Sequence, residues 1–420
     1  MELEIHYFEV THVAFGNKTI YSEGVLYICK EELKNLICKE RAIEDVDVRL
    51  AEPGESVRIT NILDITEPRI KEKIGSYYPG FLNKIFRAGD GVTKILKNVA
   101  ILEIARMPGF IGGLVDMRGR LAPLTPYSKT HNVCILLKPD AGVDQFEFAL
   151  SSKRALLRTS VYLANATRGQ RPTKTKVFKL EDSKSRKKEL PRCGYLLQLH
   201  SHGPLREPFI YGGNTRHYYP TILHPNEILD GAIVCGHYNI SPAFKNSTYA
   251  MLNNPVILQL FKRHGVDLNF KGVVIAPEPA SPTEVERTAM MSTSLLKYCL
   301  SVQGVVITKE GGGHTDVALM RNCEECEKLG IKTVLIDNEW LGSNGKGEIP
   351  FLYVSEAANA IISVGNADEV IEVPPMDRII GDPTMSDING SLWESVTVPI
   401  RCIPDAISQV GLSYITTKVL

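Results

Sequence analysis

Short apolar, β-branched runs dominate the first part of the chain. Four of them lie at 25–29, 46–50, 99–104 and 133–137, and turn formers such as Pro53-Gly54 lie between them. Runs of this length and composition, bounded by turn signals, predict strands. The chain therefore begins with a mostly β region.

One helix-period segment interrupts this region. In 153–165, Leu157, Val161 and Ala164 recur at positions i, i+4 and i+7, which places them on one face of a helix. We therefore expect a β-rich α+β domain over residues 1–167.

A basic stretch follows this domain. Nine Lys or Arg residues and few apolar ones lie between Arg168 and Lys188, which predicts a solvated loop or linker over 168–194. The alternative, a binding patch, is disfavoured because Lys plus Arg and Asp plus Glu are balanced at 48 each. This balance gives no reason to expect a nucleic acid or an anionic membrane as partner, and a small or zwitterionic ligand fits better.

The remaining residues, 195–420, alternate between strand and helix patterns. After a strand-like run at 195–199, apolar runs at 272–276, 304–308 and 333–336 are roughly thirty residues apart, with a helix-period segment in each gap. This is a βαβαβ pattern. Because crossovers are right-handed, it predicts an α/β domain with a doubly wound parallel sheet.

Both helices of this pattern have terminal signals. Ser281-Pro282-Thr283-Glu284 combines an N-cap, a first-turn proline and a glutamate three residues after the cap. The second helix is expected over 315–329, with Gly330 to terminate it. Runs at 360–364 and 370–373 are expected to extend the same sheet.

Ligands of doubly wound sheets bind beyond the carboxyl ends of the strands. This rule selects Glu278, Glu310 and Asp337, whose carboxylates would suit a cationic amine, and the neighbouring His314, which could equally cap its helix. Glycines 311–313 could instead approach a nucleotide phosphate. The G-x-G-x-x-G spacing is absent, however, and a plain tight turn is at least as probable.

Histidines and cysteines offer further candidates. His200 and His202 lie on one face of a predicted strand, where they could share a metal or a carboxylate or simply bond to the backbone. The nine cysteines are odd in number and widely spread, which indicates reduced thiols. Only Cys323 and Cys326 are close together, and without a second pair we predict core thiols and no metal.

Cys235 is flanked by glycine in the segment 230–238. A cysteine on a tight turn can attack the preceding carbonyl, form a thioester and lose its sulfur, which leaves a pyruvoyl group that condenses with amines. The simpler alternative is a small buried residue at the end of a strand.

The chain shows no membrane or secretion signal. No apolar stretch approaches the roughly 20 residues of a membrane span, and the start MELEIHYFEV has neither a basic nor an apolar leader region. We expect a cytoplasmic protein with no membrane contact.

Characteristic segments lie in order along both halves of the chain: VRLAEPGESVRI at 48–59, YPGF at 78–81, TPYSKT at 125–130, PTI at 220–222, DGAIV at 230–234, NNPVI at 253–257, NC at 322–323, GIKTV at 330–334 and PPM at 374–376. On these segments the chain resembles the glycine/sarcosine/betaine reductase component B proprotein family, to which the D-proline reductase proprotein is related.

The resemblance implies a substrate-binding subunit for the reductive C–N cleavage of a small amino acid or N-methylated derivative. It implies a partner subunit with a reactive selenocysteine or cysteine. We also expect an oligomer, and from the cysteine and glycine spacings we expect neither metal nor nucleotide. The resemblance also implies that the proprotein cuts itself a few residues after DGAIV, where a cysteine becomes the pyruvoyl group. If Cys235 were that cysteine, its pyruvoyl would be the electrophile, and Glu278, Glu310 or Asp337 would hold the ammonium.

The sequence departs from the family pattern at this point. The family cysteine is expected about three residues further on, within 236–239, where Tyr238 cannot undergo the acyl shift. Either Cys235 takes over the role in a slipped loop, or the chain is never processed and lacks the pyruvoyl group. We prefer the second, which fits a quaternary substrate such as betaine because a quaternary amine cannot form an imine. A non-catalytic scaffold and a nucleotide-binding enzyme using 311–313 are the alternative functions.

Overall fold

The computed structural model describes residues 1–180, 190–203, 205–239, 241–348, 350–412 and 416–418. Its strands are β1 (Glu2–Glu9), β2 (His12–Phe15), β3 (Ile20–Ser22), β4 (Val25–Ile28), β5 (Ile43–Ala51), β6 (Val57–Thr66), β7 (Arg69–Lys71), β8 (Gly91–Lys97), β9 (Val99–Ile104), β10 (Gly113–Asp116), β11 (His131–Pro139), β12 (Lys174–Lys179), β13 (Arg192–His200), β14 (Phe209–Ile210), β15 (Gly213–Asn214), β16 (Thr221–Leu223), β17 (Ile233–Val234), β18 (Asn269–Glu278), β19 (Gly304–Thr308), β20 (Lys332–Glu339), β21 (Ile361–Asn366), β22 (Val370–Val373), β23 (Arg378–Ile380), β24 (Val396–Pro399) and β25 (Thr416–Lys418).

The α-helices are α1 (Lys30–Ile37), α2 (Gln145–Asn165), α3 (Pro225–Leu229), α4 (Thr248–Leu252), α5 (Pro255–Arg263), α6 (Pro282–Ser294) and α7 (His314–Lys328). None of the described helices is long and apolar enough to cross a lipid bilayer.

Three sheets make up the N-terminal part. Their strand orders are β12-β1-β8-β7, β10-β6-β9-β11-β5 and β2-β4-β3. The four strand-like runs predicted here are confirmed, since they fall in β4, β5, β9 and β11. The predicted helix is α2, which begins at Gln145 because the Asp144 side chain accepts hydrogen bonds from the next backbone amides.

The N-terminal and C-terminal parts are joined through β6. All ten of its residues are buried, and β23, from near the end of the chain, pairs with it in parallel. Arg58 of β6 forms a bidentate ion pair with Asp116 and also donates to the Leu392 carbonyl. The boundaries 1–167 and 195–420 stay a prediction.

The basic stretch is partly ordered into a strand. Residues 174–179 form β12, an exposed edge strand that pairs antiparallel with β1, so the expectation of a loop over this part is wrong. An edge position accounts for the composition, because lysines on an exposed edge discourage pairing with other chains. Residues 181–189 of the predicted loop lie outside the described residues.

The predicted α/β sheet is confirmed. Seven strands run β16-β18-β13-β19-β20-β21-β25, and β18, β13, β19, β20 and β21 are mutually parallel. Strand β13 lies between β18 and β19, a position that the sequence pattern did not specify. The predicted ends of the two crossover helices are confirmed. Ser281 caps the start of α6, and Gly330, with a φ of +73°, follows the end of α7.

Two further expectations have different outcomes. The run at 370–373 forms β22, but it pairs antiparallel with β24 in a separate two-stranded sheet, so it does not extend the large sheet. Cys323 and Cys326 are fully buried between α7 and the sheet, which confirms them as core thiols.

Candidate functional site

The carboxyl ends of three parallel strands meet at one edge of the large sheet. In the register of β13 and β18, His200 lies opposite Glu278, and β19 ends beside them at Thr308. A cavity of about 450 Å³ opens at this edge. Its walls are formed by His200, His202, Arg206, Ser241, Phe244, Lys245, Gly311, Gly312, His314, Trp340, Ala367 and Arg401.

Three histidine rings are stacked along one wall of the cavity. The ring of His202 lies 4.4 Å from that of His200 and 4.2 Å from that of His314, between centroids. His200 Nδ1 is 3.2 Å from the Glu310 carbonyl oxygen, and His202 Nδ1 is 2.9 Å from that of Glu278. The two histidines selected from the sequence thus lie together and bond to the backbone.

These histidines are uncharged at neutral pH. Burial lowers the pKa of His200 and of His314 to about 4, and it also lowers the pKa of His202. A neutral imidazole does not repel an ammonium group. The wall therefore tolerates a cationic ligand, although it consists of nitrogen-rich rings.

Glu278 and Glu310 form a buried layer beneath the histidines. Glu310 Oε1 accepts hydrogen bonds from Lys245 Nζ at 2.8 Å and from the Asn246 amide at 3.1 Å, and Oε2 accepts from the His200 amide. Glu278 Oε1 accepts from the Glu310 amide at 2.9 Å. Burial raises the pKa of Glu278 to about 8, so this carboxyl is mostly protonated at neutral pH.

Asp337 is engaged in a second buried cluster. Its carboxylate lies 3.0 Å from Lys309 Nζ, which is also 3.3 Å from Asp316. Burial raises the pKa of Asp337 to about 7, with Lys309 acting in the opposite direction. Of the four residues selected for substrate binding, only His314 lines the cavity; Glu278, Glu310 and Asp337 lie behind its wall, and their binding of an ammonium stays a prediction.

The glycines after β19 make room for two rings. A Cβ at Gly312 would lie 2.6 Å from Trp340 Cζ2, and a Cβ at Gly311 would lie 3.2 Å from His200 Cε1. The Trp340 ring in turn lies 6.0 Å from that of Phe244. The absence of side chains at these glycines thus has a steric explanation that needs no phosphate.

Arg206 supplies a cation without an acidic partner. It forms no ion pair within 4 Å among the described residues; its guanidinium donates to the Asn239 side-chain oxygen at 3.3 Å, and its buried Nε has no hydrogen-bond partner there. The other two cationic side chains of the wall are neutralised, Lys245 by Glu310 and Arg401 by Asp387.

Sequence reasoning missed Arg206, Phe244 and Trp340. A signal existed for Trp340, which directly follows β20 and therefore lies in the crevice region that the sheet topology selects. Arg206 and Phe244 belong to irregular segments without a motif, so only the three-dimensional structure places them in the cavity.

Cys235 does not line the cavity and lies in the core behind it. Its side chain is fully buried after β17, its amide donates to Thr248 Oγ1 at 3.1 Å, and burial raises the pKa of its thiol well above the usual value. The segment 235–238 is irregular and not a tight turn. The amides of His237 and Tyr238 donate to the carbonyls of Leu205 and Leu63.

A buried polar network surrounds this segment. Thr248 donates to Asp64 at 2.6 Å, and Asp64 also accepts from Lys153 at 2.5 Å. His237 Nε2 lies 2.8 Å from Glu103 Oε1. Within the described ranges, no group of three or more His, Cys, Asp or Glu side chains is arranged to hold a metal ion.

Comparison with known proteins identifies the family. The model of the glycine/sarcosine/betaine reductase component B subunits matches residues 1–415. The chain belongs to this family. It is 35% identical to the glycine reductase complex component B subunits alpha and beta of Peptoclostridium acidaminophilum, with 100% of both chains covered.

Relatives named for other substrates are similarly close. The sarcosine reductase complex component B subunit alpha of Peptoclostridium acidaminophilum is 37% identical, with 91% of this chain and 89% of the relative covered. The betaine reductase complex component B subunit alpha of the same organism is 32% identical, with 91% and 88% covered. No solved structure matches the chain. The component B family thus includes relatives named for three different amines.

Proposed function

We propose that the chain is the substrate-binding subunit of a glycine/sarcosine/betaine-type reductase. It binds a small amine acid and presents the α-carbon to a selenol or thiol of a partner subunit, and the C–N bond is cleaved reductively. The observation that carries this proposal is the cavity at the strand ends, where the Arg206 guanidinium and the Trp340–Phe244 ring pair line one small space.

The carboxylate of the substrate binds to Arg206. A guanidinium can form two parallel hydrogen bonds with a carboxylate. Arg206 lines the cavity and has no ion-pair partner within 4 Å among the described residues, so its charge is available to a bound carboxylate.

The ammonium end binds against Trp340 and Phe244. Aromatic faces attract quaternary ammonium groups, and the attraction reaches about 2 kcal/mol or more where water is excluded. None of the described residues that line this cavity carries a carboxylate to pair with a primary ammonium, whereas a quaternary ammonium needs only the aromatic faces. We therefore assign a methylated amine, with betaine preferred over sarcosine and glycine.

No pyruvoyl group is needed for such a substrate. A quaternary nitrogen cannot condense with a carbonyl, and the buried, protonated thiol of Cys235 is a poor nucleophile for self-processing. The proposed enzyme therefore acts as an unprocessed chain.

Calorimetric titration with glycine, sarcosine, dimethylglycine and betaine tests this assignment. Affinity is expected to rise with each methyl group, and Trp340→Leu is expected to weaken betaine binding about tenfold or more. Trp393→Leu is the matched control because this second tryptophan is 49% exposed and does not line the cavity. Tightest binding of glycine would refute the methylated-amine assignment.

A non-catalytic scaffold is the second candidate, favoured by the burial of Cys235. It predicts that the chain binds its partner subunit but none of the four amines. Measuring both interactions on the same preparation separates the two functions.

A further inference from the structure

We infer that His202 is the catalytic base of this site, and that its Nε2 takes the proton of a partner cysteine thiol during attack on the α-carbon. This inference rests on the proposed function and adds a residue role to it.

Hydrogen bonding fixes the tautomer of His202. A backbone carbonyl oxygen can only accept a hydrogen bond, so the 2.9 Å contact between His202 Nδ1 and the Glu278 oxygen requires the proton on Nδ1. In the neutral ring, Nε2 then holds a lone pair. Glu278 is the last residue of the buried strand β18, which gives the ring a rigid support.

His202 is better exposed than its anchored neighbour. His200 is held by the same kind of bond, to Glu310, but it is 6% exposed. His202 lies beyond the end of β13, is half-buried and lines the cavity. A nucleophile that enters the cavity can therefore reach His202, while His200 supports it from behind.

The surroundings keep the His202 ring uncharged until it accepts a proton. Burial lowers its pKa, and the neighbouring His200 ring and Arg206 act in the same direction, whereas Glu278 acts in the opposite direction. The groups that face it from the packed elements are His200, Arg206, Lys245, Glu278, Glu310 and His314. Lys245 and Glu310 neutralise each other, so the free base is the resting state.

The neighbouring ring offers a second nitrogen. His314 packs edge-on against His202, and its buried Nε2 has no hydrogen-bond partner among the described residues. An unpaired buried nitrogen costs about 1–3 kcal/mol. Because this nitrogen is shielded from solvent, His202 and not His314 is the ring that an entering nucleophile reaches.

The step balances without any further reagent. The sulfur electron pair of the thiol forms the new bond to the α-carbon, and the Cα–N bond breaks with its electron pair remaining on the amine. The proton of the thiol passes to His202 Nε2. It then transfers to the released amine, which is a stronger base than the imidazole.

The variant His202→Asn removes the proposed base and keeps the hydrogen bond to Glu278. The Asn side-chain amide occupies the position of Nδ1 and can still donate to the Glu278 carbonyl, but it offers no nitrogen lone pair. We expect betaine affinity within about threefold of wild type, together with a 100-fold or greater loss of trimethylamine release by the complex with its partner subunit. Imidazole in the buffer should restore part of the rate, and the acid limb of the pH profile should disappear. His12→Asn, at an exposed position outside the cavity, is the control.

The outcomes separate the two proposals. If His202→Asn binds betaine and loses no rate, His202 is not the catalytic base, and the proposed function is unaffected. If this variant no longer binds betaine, His202 is a substrate-binding residue, and its assignment as the catalytic base is refuted. Failure of wild type to bind any of the four amines overturns the proposed function. Nitrogen NMR of wild type does not depend on a variant, and a proton on His202 Nε2 in place of Nδ1 would refute the tautomer.

Discussion

Gly312 lies against the indole ring of Trp340, so that an added Cβ would come within 2.6 Å of the ring atom Cζ2. Gly312→Ala should therefore displace the ring and weaken betaine binding about 30-fold, the loss expected for one desolvated cation–π contact of about 2 kcal/mol. Calorimetry checks this. Gly304→Ala is the control, because a Cβ there would have its nearest neighbour at 3.6 Å. Unchanged affinity in Gly312→Ala would separate Trp340 from substrate binding.

Arg206→Gln should weaken the binding of all four amine acids alike. The lost charge-assisted hydrogen bonds correspond to about 1.5–3 kcal/mol, or roughly 10- to 150-fold in affinity. Arg401→Gln is the matched control, since Arg401 is already paired with Asp387, and its effect should be several-fold smaller. A larger effect of Arg401→Gln than of Arg206→Gln would show that Arg401, and not Arg206, binds the substrate carboxylate.

In a His202→Asn background, betaine affinity should be constant between pH 5.5 and 7. Burial lowers the pKa of His200 and His314 to about 4, so both rings stay neutral over this interval, and Glu278, with a pKa of about 8, stays protonated. Histidines with an ordinary pKa near 6.5 would change the cavity charge in the same interval. Titration in buffers matched for ionic strength distinguishes the two cases.

Glu103→Gln should destabilise the fold by about 3 kcal/mol at pH 7. His237 and Lys153 hold the pKa of this buried carboxyl at about 2 against the effect of burial, compared with 4.5 in the unfolded chain, and each pKa unit corresponds to about 1.4 kcal/mol. A lowered folded-state pKa contributes stability above pH 4.5, which is lost as the pH falls towards 2.

Urea unfolding at several pH values therefore tests this pair. The difference in unfolding free energy between wild type and Glu103→Gln should shrink steadily below pH 4.5. Glu44→Gln removes an exposed ion pair with Lys138 and should change stability by less than about 1 kcal/mol at any of these pH values. A pH-independent difference for Glu103→Gln would contradict the ion-pair explanation.

Intact mass under denaturing conditions should give a single species of 46.6 kDa. The buried thiol of Cys235 is protonated, because burial raises its pKa well above 9, and the segment lacks the turn that an acyl shift requires. Treatment with hydrazine should leave the mass unchanged. Two fragments meeting at Cys235, the downstream one reactive with hydrazine, would establish the pyruvoyl group and refute the unprocessed enzyme.

Local sequence patterns predicted individual strands and helices better than they predicted which strands pair with each other. Strands such as β9 and β19 have strong apolar runs, and the caps of α6 are local signals, so the sequence alone located them. The position of β13 between β18 and β19 depends on how distant segments pack, and no local signal encodes that choice. The same holds for β22, whose partner is decided by tertiary packing.

The candidate site was predicted in part for a related reason. The crevice rule located the correct sheet edge through Glu278, Glu310 and His314. It assigned Glu310 and Asp337 to a ligand because their buried lysine partners, Lys245 and Lys309, could not be paired with them from the sequence. Arg206 belongs to no sequence motif, so the sequence alone did not select it.

Strand β13, the third of seven in the large sheet, precedes Cys235 in the chain, whereas its two neighbours, β18 and β19, follow it. Any backbone break at Cys235 would leave β13 on one fragment and both flanking strands on the other. Neither fragment would hold a complete sheet alone. A cleaved form with its sheet intact would therefore migrate as a single particle until it is denatured.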